Sequence, residues 1–531
     1  MPCYDHIIVG SGINALVCGA MLSRAGRRVL VLEREAEIGG AMRTAELAPG
    51  FSHDPLALTF LLLIASPAYA ALKDDLAAEG VTFAATDTPT GVLRADGRAL
   101  VLSSDRAANV AALDAANPGD GASYAAEMAA VERDAELIFG LFNNALWSRP
   151  TARLLARHAW RQGPRNLLAR LGAMLQSNRR RIGAAYRSDL AEALFAPWPL
   201  HAGLDPEQPF AGTMGAVMTF ALEVFGAPIA VGGAARVAEG LAAIIARNGG
   251  EVRTGADADR ILEGGDGRDV AGLVLASGET IDATSVICSV TPNQLYGRLL
   301  REWALPEFVA PEVARYQYGK GDMQIHYALE RPVDWPDPAL ADVQLLHLAD
   351  GLDAVSKASN EALRGMLPAH PTVCVAQPTA ADPSRAPDGK AVLWIQLPEC
   401  PRHLKGDAAG TIDTPADGQW TEAVRETYAD RIEAMIAAHD PAFRDKVIAR
   451  RVLSPADIEA MNINLVGGDP YGGWSGLDQF FLFRPFPQQV NHRAFVPGVY
   501  QIGAATHPGA GLSGMSGYIL AERLAGRKRR A

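Results

Sequence analysis

A glycine-rich turn close to the N-terminus is the feature that most constrains the fold. Residues 7–20 read IIVGSGINALVCGA, a short apolar run followed by Gly10-x-Gly12-x-x-Ala15 and a helical pattern. Gly10 permits a tight turn, Gly12 lets the backbone approach a pyrophosphate, and the small Ala15 lets the helix pack closely on the strand. The helix N-terminus offers N–H groups and a positive dipole end to phosphate oxygens. The sequence therefore predicts a strand–turn–helix unit that binds a dinucleotide.

An acidic residue follows at the expected distance. The stretch RRVLVLERE (27–35) predicts a second strand that ends at Glu33, about twenty residues after the turn. A carboxylate there accepts hydrogen bonds from ribose hydroxyls and disfavours a 2′-phosphate, and therefore NADP. FAD and NAD share this arrangement, so the turn and the acid do not choose between them.

The segment after the second strand favours FAD. It reads EIGGAMRT (37–44), in which two residues separate the Gly39–Gly40 pair from Arg43. This pattern resembles the second signature of flavoproteins in the amine oxidase and phytoene desaturase superfamily. The resemblance implies that the two glycines approach the dinucleotide and that Arg43 faces its pyrophosphate. No cysteine lies beyond Cys400, which excludes a covalent link near the C-terminus, so the predicted cofactor is non-covalent FAD.

The C-terminal segment resembles the closing flavin motif of the phytoene desaturase family. Residues 498–526 read GVYQIGAATHPGAGLSGMSGYILAERLAG, which predicts a strand, a glycine-rich loop from Gly503 to Gly514 and a helix from Met515. The resemblance implies that Gly503, Gly514 and Met515 lie at the flavin. A helix N-terminus at that point stabilises the anionic reduced flavin, which favours hydride acceptance.

Three further segments resemble the same family. Residues 231–290 resemble its second FAD-binding segment, which implies that backbone near Ala258 contacts the adenine. Residues 318–335 and 472–485 are most similar to the bacterial branch related to pyridine nucleotide-disulphide oxidoreductase domain-containing protein 2. No second GxGxxG followed by a strand and an acid is present. A dedicated NAD(P)H site and disulfide reduction are therefore disfavoured, and we expect electrons to leave to oxygen or a quinone.

The predicted architecture is α/β, with a discontinuous Rossmann-like FAD-binding domain of the glutathione-reductase and amine-oxidase type. Its parts are residues 1–75, 226–300 and 490–531. An inserted α+β substrate domain comprises residues 76–225 and 301–489. Ligands of such folds bind beyond the carboxyl ends of the strands, so we expect substrate and flavin to meet between the domains.

Composition excludes several classes of protein. The formal net charge of −11 argues against a nucleic-acid partner. The five cysteines contain no CxxC pair, which favours a reducing compartment. Only a few residues precede the first predicted strand, so we expect no signal peptide and a cytoplasmic location.

The apolar run from Pro55 to Leu72 contains Pro67 and is too short to cross a membrane as one uninterrupted helix. It predicts a buried or substrate-lining helix, with monotopic membrane contact as the alternative.

An arginine-rich segment lies in the predicted substrate domain. Residues 137–188 contain no acidic residue, and residues 149–187 contain ten arginines, the first four of them spaced by four residues. One interpretation is a solvated face, or one paired with acids elsewhere in the chain. A second is peripheral contact with anionic lipid at the inner face of the membrane, and a third is an anionic ligand. The sequence leaves all three open.

Few residues are candidates for proton transfer. His507 lies in the C-terminal loop, and His326 lies in the predicted strand MQIHYAL. A histidine has a pKa suited to acid–base work, although a loop-orienting hydrogen bond for His507 and a structural role for His326 are the favoured alternatives. His53 and Arg484 are weaker candidates, the latter as an anchor for a carboxylate or a flavin carbonyl. The pattern shows no Ser-His-Asp triad and no metal cluster.

The resemblance implies an FAD-dependent dehydrogenase or desaturase. It would transfer a hydride to flavin from a C–H bond of a hydrophobic, isoprenoid-like or alicyclic molecule. One alternative is an amine or alcohol oxidase that releases hydrogen peroxide, with Tyr518 or Trp474 in an aromatic cage. Another is a non-catalytic, FAD-stabilised interaction protein, and saturases and isomerases also occur among such relatives. The sequence predicts no particular substrate and no oligomeric state.

Overall fold

The computed structural model describes residues 4–265 and 269–526, so Cys3 lies outside the described residues. The strands, in chain order, are β1 (His6–Val9), β2 (Val29–Leu32), β3 (Ala45–Ala48), β4 (Phe51–His53), β5 (Phe83–Ala84), β6 (Thr90–Leu93), β7 (Ala99–Leu102), β8 (Ile229–Ala230), β9 (Glu251–Arg253), β10 (Ala258–Glu263), β11 (Val270–Leu275), β12 (Thr280–Asp282), β13 (Val286–Cys288), β14 (Gly321–Leu329), β15 (Leu345–Leu348), β16 (Met366–Leu367), β17 (Val373–Ala376), β18 (Ala391–Cys400), β19 (Gly406–Asp407), β20 (Val447–Leu453) and β21 (Val499–Gln501).

The α-helices, in chain order, are α1 (Ile13–Arg24), α2 (Leu61–Ile64), α3 (Pro67–Ala78), α4 (Arg106–Ala116), α5 (Asp120–Asn143), α6 (Arg149–Gln162), α7 (Pro164–Ala173), α8 (Asn178–Ala185), α9 (Asp189–Phe195), α10 (Ala211–Phe225), α11 (Ala235–Arg247), α12 (Pro292–Gln294), α13 (Val309–Arg315), α14 (Leu352–Leu363), α15 (Pro378–Ala381), α16 (Glu422–Ala437), α17 (Phe443–Lys446), α18 (Pro455–Met461) and α19 (Met515–Ala525).

A parallel sheet carries the N-terminal glycine turn. In the described part of the chain its order is β21-β13-β1-β2-β9, with the first β-strand of the sequence at its centre. Helices α1, α11 and α19 pack on this sheet through a shared apolar core. Because β1, β2, β9, β13 and β21 come from three distant parts of the chain, the predicted discontinuous Rossmann-like α/β fold is confirmed.

A second, mixed sheet forms the opposite half of the molecule. Its order among the described strands is β20-β14-β18-β17-β15-β6-β7. Side chains alternate between the two faces of a strand. In β14, Met323, Ile325 and Tyr327 point to a core that includes Tyr428 and Ile432 of α16. The alternate residues of β14 form the other face, which is turned away from α16.

The predicted domain boundaries stay a prediction. The short pair formed by β5 and β8 joins residues 83–84 to residues 229–230, on either side of the boundary placed between residues 225 and 226. Strands β6 and β7, which follow residue 76, belong to the mixed sheet.

The apolar run from Pro55 to Leu72 does not form one helix. It divides into α2 and α3, and Ser66 accepts a hydrogen bond from the Tyr69 N–H as the N-cap of α3. Pro67 occupies the first helical position, where its missing N–H costs no intrahelical bond. None of the helices within residues 4–265 and 269–526 combines the length and apolarity needed to span a bilayer.

Candidate active site

One cavity, called here the main cavity, lies between the loops of the parallel sheet and the mixed sheet. Its volume is about 350 Å³. The nucleotide end of the main cavity is lined by Gly10, Gly12, Glu33 and the residues around Gly40. The sheet end is lined by the face of β14 that is turned away from α16 and by its neighbours on β18, β17 and β15.

Each glycine of the nucleotide end suits its position for a different structural reason. Gly10 has φ +94°, which favours glycine. A Cβ on Gly39 would lie 2.3 Å from the Met42 carbonyl oxygen, and one on Gly40 would lie 3.1 Å from the Gly12 Cα. A Cβ on Gly12, by contrast, would meet nothing within 4 Å. Gly12 therefore keeps open a space at the N-terminus of α1 that fits a pyrophosphate.

Glu33 links the two glycine segments through Ser11. Its carboxylate accepts hydrogen bonds from the Ser11 backbone N–H at 3.0 Å and from the Ser11 hydroxyl at 2.6 Å. The Ser11 Oγ in turn accepts from the Gly39 N–H at 3.0 Å. Glu33 is 7% exposed and lines the main cavity, so its carboxylate orders the loop and also faces the ligand space.

Arg43 and Ala258 both line the main cavity. The Arg43 Nε is buried and has no hydrogen-bond partner among the described residues. A buried guanidinium nitrogen of this kind fits an anionic partner such as a pyrophosphate. Ala258 opens β10 and is 1% exposed, beside Asp257, which accepts from Arg298 at 3.1 Å.

The predicted C-terminal residues divide into two groups. Gly503, with φ +107°, lines the main cavity and donates its N–H to the Ser516 hydroxyl at 3.1 Å. Gly514 and Met515 are not among the described residues that line it. A Cβ on Gly514 would lie 2.7 Å from Val17 of α1, so this glycine serves helix packing. Ala15 is fully buried and has the packing role given to it by its small size.

The wall between the two ends is apolar. Its members come from the loop before α2, from α2 itself, from α10 and from the loop after α10, and they are buried or half-buried. They are Leu56, Leu58, Leu61, Leu62, Met218, Leu222 and Ala227. Trp198 and Leu345 continue this surface toward the mixed sheet. Burial of apolar surface here favours an uncharged, hydrophobic ligand.

A polar patch interrupts this wall on the mixed sheet. It consists of Asp322 and Gln324 on β14, with Trp394 and Gln396 on β18, and is called here the β14–β18 patch. Gln324 pairs with Gln396 in the register, and the Gln396 amide donates to Oδ2 of Asp322. Oδ1 of Asp322, Oε1 of Gln324 and Nε1 of Trp394 are buried without a hydrogen-bond partner in the described part of the chain. These atoms are available to a ligand.

Burial changes the acidity of Asp322. The side chain is 3% exposed, and burial raises the pKa of its carboxyl to about 8. Asp469 raises this pKa further, whereas Gln396 and Lys320 lower it. At neutral pH the carboxyl is therefore mostly protonated, and its Oδ1–H is available to donate a hydrogen bond to a ligand.

His507 lies outside the main cavity. It lines a separate small cavity with Trp147, Phe481 and His492. Its Nε2 is 3.0 Å from the Asn144 carbonyl oxygen, and its own carbonyl accepts from His492 at 2.8 Å. Burial, with His492 nearby, lowers the pKa of His507 to about 3. This placement corrects the prediction of a proton-transfer role, because the loop turns the ring away from the main cavity.

His326 is also absent from the described lining of the main cavity. Its ring packs edge-on against His53, with ring centroids 5.6 Å apart. Burial lowers the pKa of His326 to about 3 and that of His53 to about 4. Both rings are neutral at physiological pH, and neither residue is among the described residues that line the main cavity. The structure thus supports the packing interpretation of His326 over the catalytic one.

A histidine pair that the sequence pattern did not indicate borders the sheet end. His201, from a 3₁₀ helix at Trp198–Ala202, and His347 of β15 approach with their Nε2 atoms 2.9 Å apart. Trp198 packs against both rings, with centroids 5.0 Å away. Together with Cys374, their ligand atoms lie within 4.8 Å of one another. Burial lowers the pKa of both histidines, so they form a neutral hydrogen-bonded pair.

Arg484 has a structural role. It is 3% exposed and donates to the backbone carbonyls of Tyr471, Trp474 and Ala504. Tyr471 and Ala504 line the main cavity, so Arg484 holds two of its lining loops together. The guanidinium is therefore not available to anchor a carboxylate.

The sequence around Asp322 and Gln324 contains a pattern that could have indicated them as cavity residues. In Gly321–Leu329, polar residues occupy alternate positions while all nine residues are buried. A buried strand with one polar face indicates a lined cavity rather than a packed core. His201, His347 and Cys374 have no comparable local signal, because the fold alone brings them together.

A parallel sheet with a glycine turn, an acidic partner at its second strand and an open cradle at Gly12 defines a dinucleotide-binding α/β fold. The chain matches the family model of flavin containing amine oxidoreductases over residues 16–427. The protein therefore belongs to that family, and its cofactor is FAD.

Curated relatives extend over nearly the whole chain. Mouse pyridine nucleotide-disulfide oxidoreductase domain-containing protein 2 is 27% identical, covering 97% of this chain and 92% of its own. One component of the limonene dehydrogenase of Castellaniella defragrans is 26% identical, covering 98% and 94%. Several phytoene desaturases are also similar, among them that of Rhodobacter capsulatus at 22% identity, covering 98% of this chain and 93% of its own. These similarities confirm the resemblance found in the sequence.

Solved structures show the same fold. An oxidoreductase from Methanosarcina mazei superposes with a TM-score of 0.62 at 16% identity, covering 98% of this chain and 99% of its own. Cyclohexylamine oxidase from Brevibacterium oxydans gives 0.56 at 16% identity, with 99% of each chain covered. At these identities the comparison establishes architecture alone.

Proposed function

We propose that the protein dehydrogenates a hydrophobic, uncharged small molecule of isoprenoid-like or alicyclic type. The observation that supports this proposal most strongly is the main cavity, in which a dinucleotide cradle is continuous with a largely apolar wall. When bound, FAD supplies a two-electron acceptor for a hydride. The residues of the chain bind, orient and dehydrate the substrate. The relatives named as a limonene dehydrogenase and as phytoene desaturases support this class of substrate.

We propose the following roles for the site residues, from the resemblance and from their positions at the main cavity. Gly12 and Arg43 would hold the pyrophosphate, Glu33 the ribose, and Ala258 the adenine. Gly10, Gly39, Gly40 and Gly503 shape the cradle, while Ala15, Gly514 and Met515 position α1 and α19 beside it. The wall from Leu56 to Leu62 would contact the hydrocarbon part of the substrate.

Anaerobic reduction of the bound flavin tests the proposal. A panel of an isoprenoid polyene in detergent, a cyclic terpenoid, a primary amine and a cyclic alcohol is mixed with the FAD-loaded protein without oxygen. We expect the apolar members to bleach the visible flavin band and the amine to leave it unchanged. Bleaching by the amine alone would establish an oxidase instead. A flavin that no member reduces within hours would favour the non-catalytic interpretation and contradict the proposal.

We also propose that the reduced protein passes its electrons to a quinone or to oxygen. The lack of a second dinucleotide fingerprint supports this assignment. Mixing the reduced protein with a water-soluble ubiquinone analogue and, separately, with air separates the two acceptors. Faster reoxidation by the quinone indicates a dehydrogenase, and fast peroxide release indicates an oxidase. Rapid reoxidation by NADP⁺ or NAD⁺ would contradict the assignment.

The arginine-rich segment supports a further proposal, peripheral contact with an anionic membrane. Trp160 is 87% exposed and Leu168 is 67% exposed on α6 and α7. On a helix of 3.6 residues per turn, Arg149, Arg153 and Trp160 fall within about 40° of one another and about 120° away from the buried Leu154. Arginines beside exposed aromatic residues favour binding to an anionic lipid interface.

Other arginines of the segment have acidic partners. Ion pairs join Arg170 to Asp134 and Arg181 to Glu127. Among the described residues, by contrast, Arg149, Arg153 and Arg165 have no acidic group within 4.0 Å, the distance that defines an ion pair here. The solvated-face interpretation thus fits one part of the segment and the membrane proposal the other.

Substitution of two exposed residues, Arg153 and Trp160, tests the membrane proposal. We expect Arg153→Glu combined with Trp160→Ser to weaken binding to phosphatidylglycerol vesicles at least tenfold, because a charge attraction and an aromatic anchor are both lost. Arg236→Glu on α11 is the matched control, since Arg236 is also exposed. Co-sedimentation with vesicles gives the readout. Equal binding by the wild type and the double variant, or no binding by either, would contradict the proposal.

A further inference from the structure

We infer that the substrate is a neutral molecule with a hydroxyl or carbonyl oxygen, and that Asp322 binds this oxygen at the β14–β18 patch. The inference rests on the proposed function and narrows its substrate class. It concerns residues that touch the main cavity and that no resemblance had indicated. The cavity geometry and the unpartnered atoms carry it.

The patch is a built hydrogen-bonding site inside an apolar wall. Asp322 and Gln324 are each 3% exposed, and Trp394 is 6% exposed. One buried polar atom on each side chain has no partner in the described part of the chain. Buried polar groups are almost always hydrogen-bonded, and an unpartnered group requires an explanation, of which a ligand site is one. A substrate carbonyl or hydroxyl oxygen would accept from Oδ1–H of Asp322 and from Nε1–H of Trp394, and a hydroxyl would also donate to Oε1 of Gln324, whereas a hydrocarbon would leave all three atoms without partners.

Gln396 orients the Asp322 carboxyl. Its amide donates to Oδ2, which leaves Oδ1 directed to other partners. Gln324 and Gln396 are opposite each other in the register of β14 and β18. The two strands therefore fix the patch on a rigid sheet, as precise ligand orientation requires.

The charged groups around Asp322 keep it protonated at neutral pH. Burial raises its pKa to about 8, and Asp469 acts in the same direction. Lys320 acts in the opposite direction, but its ammonium forms an ion pair with Asp205. The other titratable groups that act on this carboxyl are buried and have raised pKa values, so they are uncharged: Cys374, Cys400 and Tyr471.

A protonated Asp322 distinguishes between classes of substrate. Its Oδ1–H donates to a carbonyl or hydroxyl oxygen. Among the described residues that line the sheet end of the main cavity, Asp322 carries the one carboxyl group. Because this carboxyl is neutral, an ammonium group would find no negative charge there. When the pH rises through about 8, Asp322 ionises and loses its donor. Binding of a ketone should therefore weaken over that range.

Binding of three probes with one carbon skeleton tests the inference. Menthone, p-menthane and menthylamine are titrated into the FAD-loaded protein, below and above the pKa of Asp322, by calorimetry. We expect menthone to bind at least tenfold more tightly than p-menthane or menthylamine at neutral pH and to lose most of this preference in alkali. Calorimetry reports binding without turnover.

Two variants and one control isolate the carboxyl. In Asp322→Asn the amide donates at every pH, so the preference for menthone should persist in alkali. In Asp322→Leu the donor is gone, so the preference should disappear. Asp353→Asn, a substitution of an exposed surface carboxylate, is the control. Infrared difference spectra of wild type against Asp322→Asn should show a protonated-carboxyl C=O band at neutral pH.

Several results would overturn the inference. They are equal binding of menthone and p-menthane, tighter binding of menthylamine at neutral pH, no binding of any probe, or absence of the protonated-carboxyl band. Flavin reduction by a hydrocarbon without ketone preference would overturn this inference and leave the proposed function intact. Tight menthone binding in a protein whose flavin no substrate reduces would overturn the proposed function and leave the binding role of Asp322 intact.

Discussion

Replacement of Gly12 by valine is expected to abolish FAD binding while the apoprotein stays folded. The φ and ψ of Gly12 are −65° and 169°, which any residue adopts, and a Cβ there would meet nothing within 4 Å. The added side chain would instead occupy the space proposed for the pyrophosphate. We expect FAD affinity to fall at least a hundredfold, measured by fluorescence titration of apoprotein with FAD.

A matched glycine provides the control. Gly172→Val in α7 also places a side chain where nothing lies within 4 Å, but far from the glycine turn in the sequence. We expect its FAD affinity to equal that of the wild type. The free energy of unfolding of the Gly12→Val apoprotein should stay within about 0.5 kcal/mol of wild type. Tight FAD binding by Gly12→Val would contradict the cradle described here.

Arg385→Leu is expected to destabilise the protein by about 3–5 kcal/mol. Arg385 is 1% exposed and pairs with Asp54 at 2.9 Å and Asp382 at 2.9 Å, both carboxylates being buried. Asp54 also accepts from Thr44 and from the Ala234 N–H, so the cluster joins the second glycine segment to α11. Removal of the cation leaves two carboxylates buried without a counter-charge. Denaturant unfolding of the apoprotein measures the loss.

The pH dependence of this loss has a defined sign. Burial already raises the pKa of Asp54, and loss of Arg385, which lowers it, would raise it further. A folded-state pKa above the unfolded one penalises stability where the unfolded carboxyl is ionised, and the penalty fades as the pH falls below the unfolded value. The variant should therefore lose less at pH 4 than at pH 7. Arg236→Leu, in an exposed pair, should cost less than about 1 kcal/mol. Equal losses in the two variants would contradict the argument.

The dinucleotide cradle was predictable because its determinants are local. Gly10, Gly12, Glu33 and Arg43 lie within one strand–turn–helix–strand unit, where spacing along the chain sets position in space. The discontinuous sheet was predictable for a related reason, since each returning segment repeats a strand pattern that resembles a known family. The structure confirms the α/β class, and the family match confirms the cofactor.

The substrate wall was not predictable in the same way. Its polar patch depends on the register between β14 and β18, which joins residues about seventy positions apart. The prediction of a proton-transfer role for His507 failed for a related reason. The loop that holds His507 adjoins the parallel sheet in sequence, but it turns the imidazole toward Asn144. The tertiary course of a glycine-rich loop decides which side chains face a cavity, and composition does not contain that information.

A crystal structure of the FAD-loaded protein soaked with menthone tests the central claim most directly, because the claim is that one cavity holds both molecules. The account predicts density for FAD with its pyrophosphate at Gly12 and Arg43, and density for menthone against Asp322 on the β14–β18 patch. Menthone found outside the main cavity, or FAD bound away from Gly12, would contradict it.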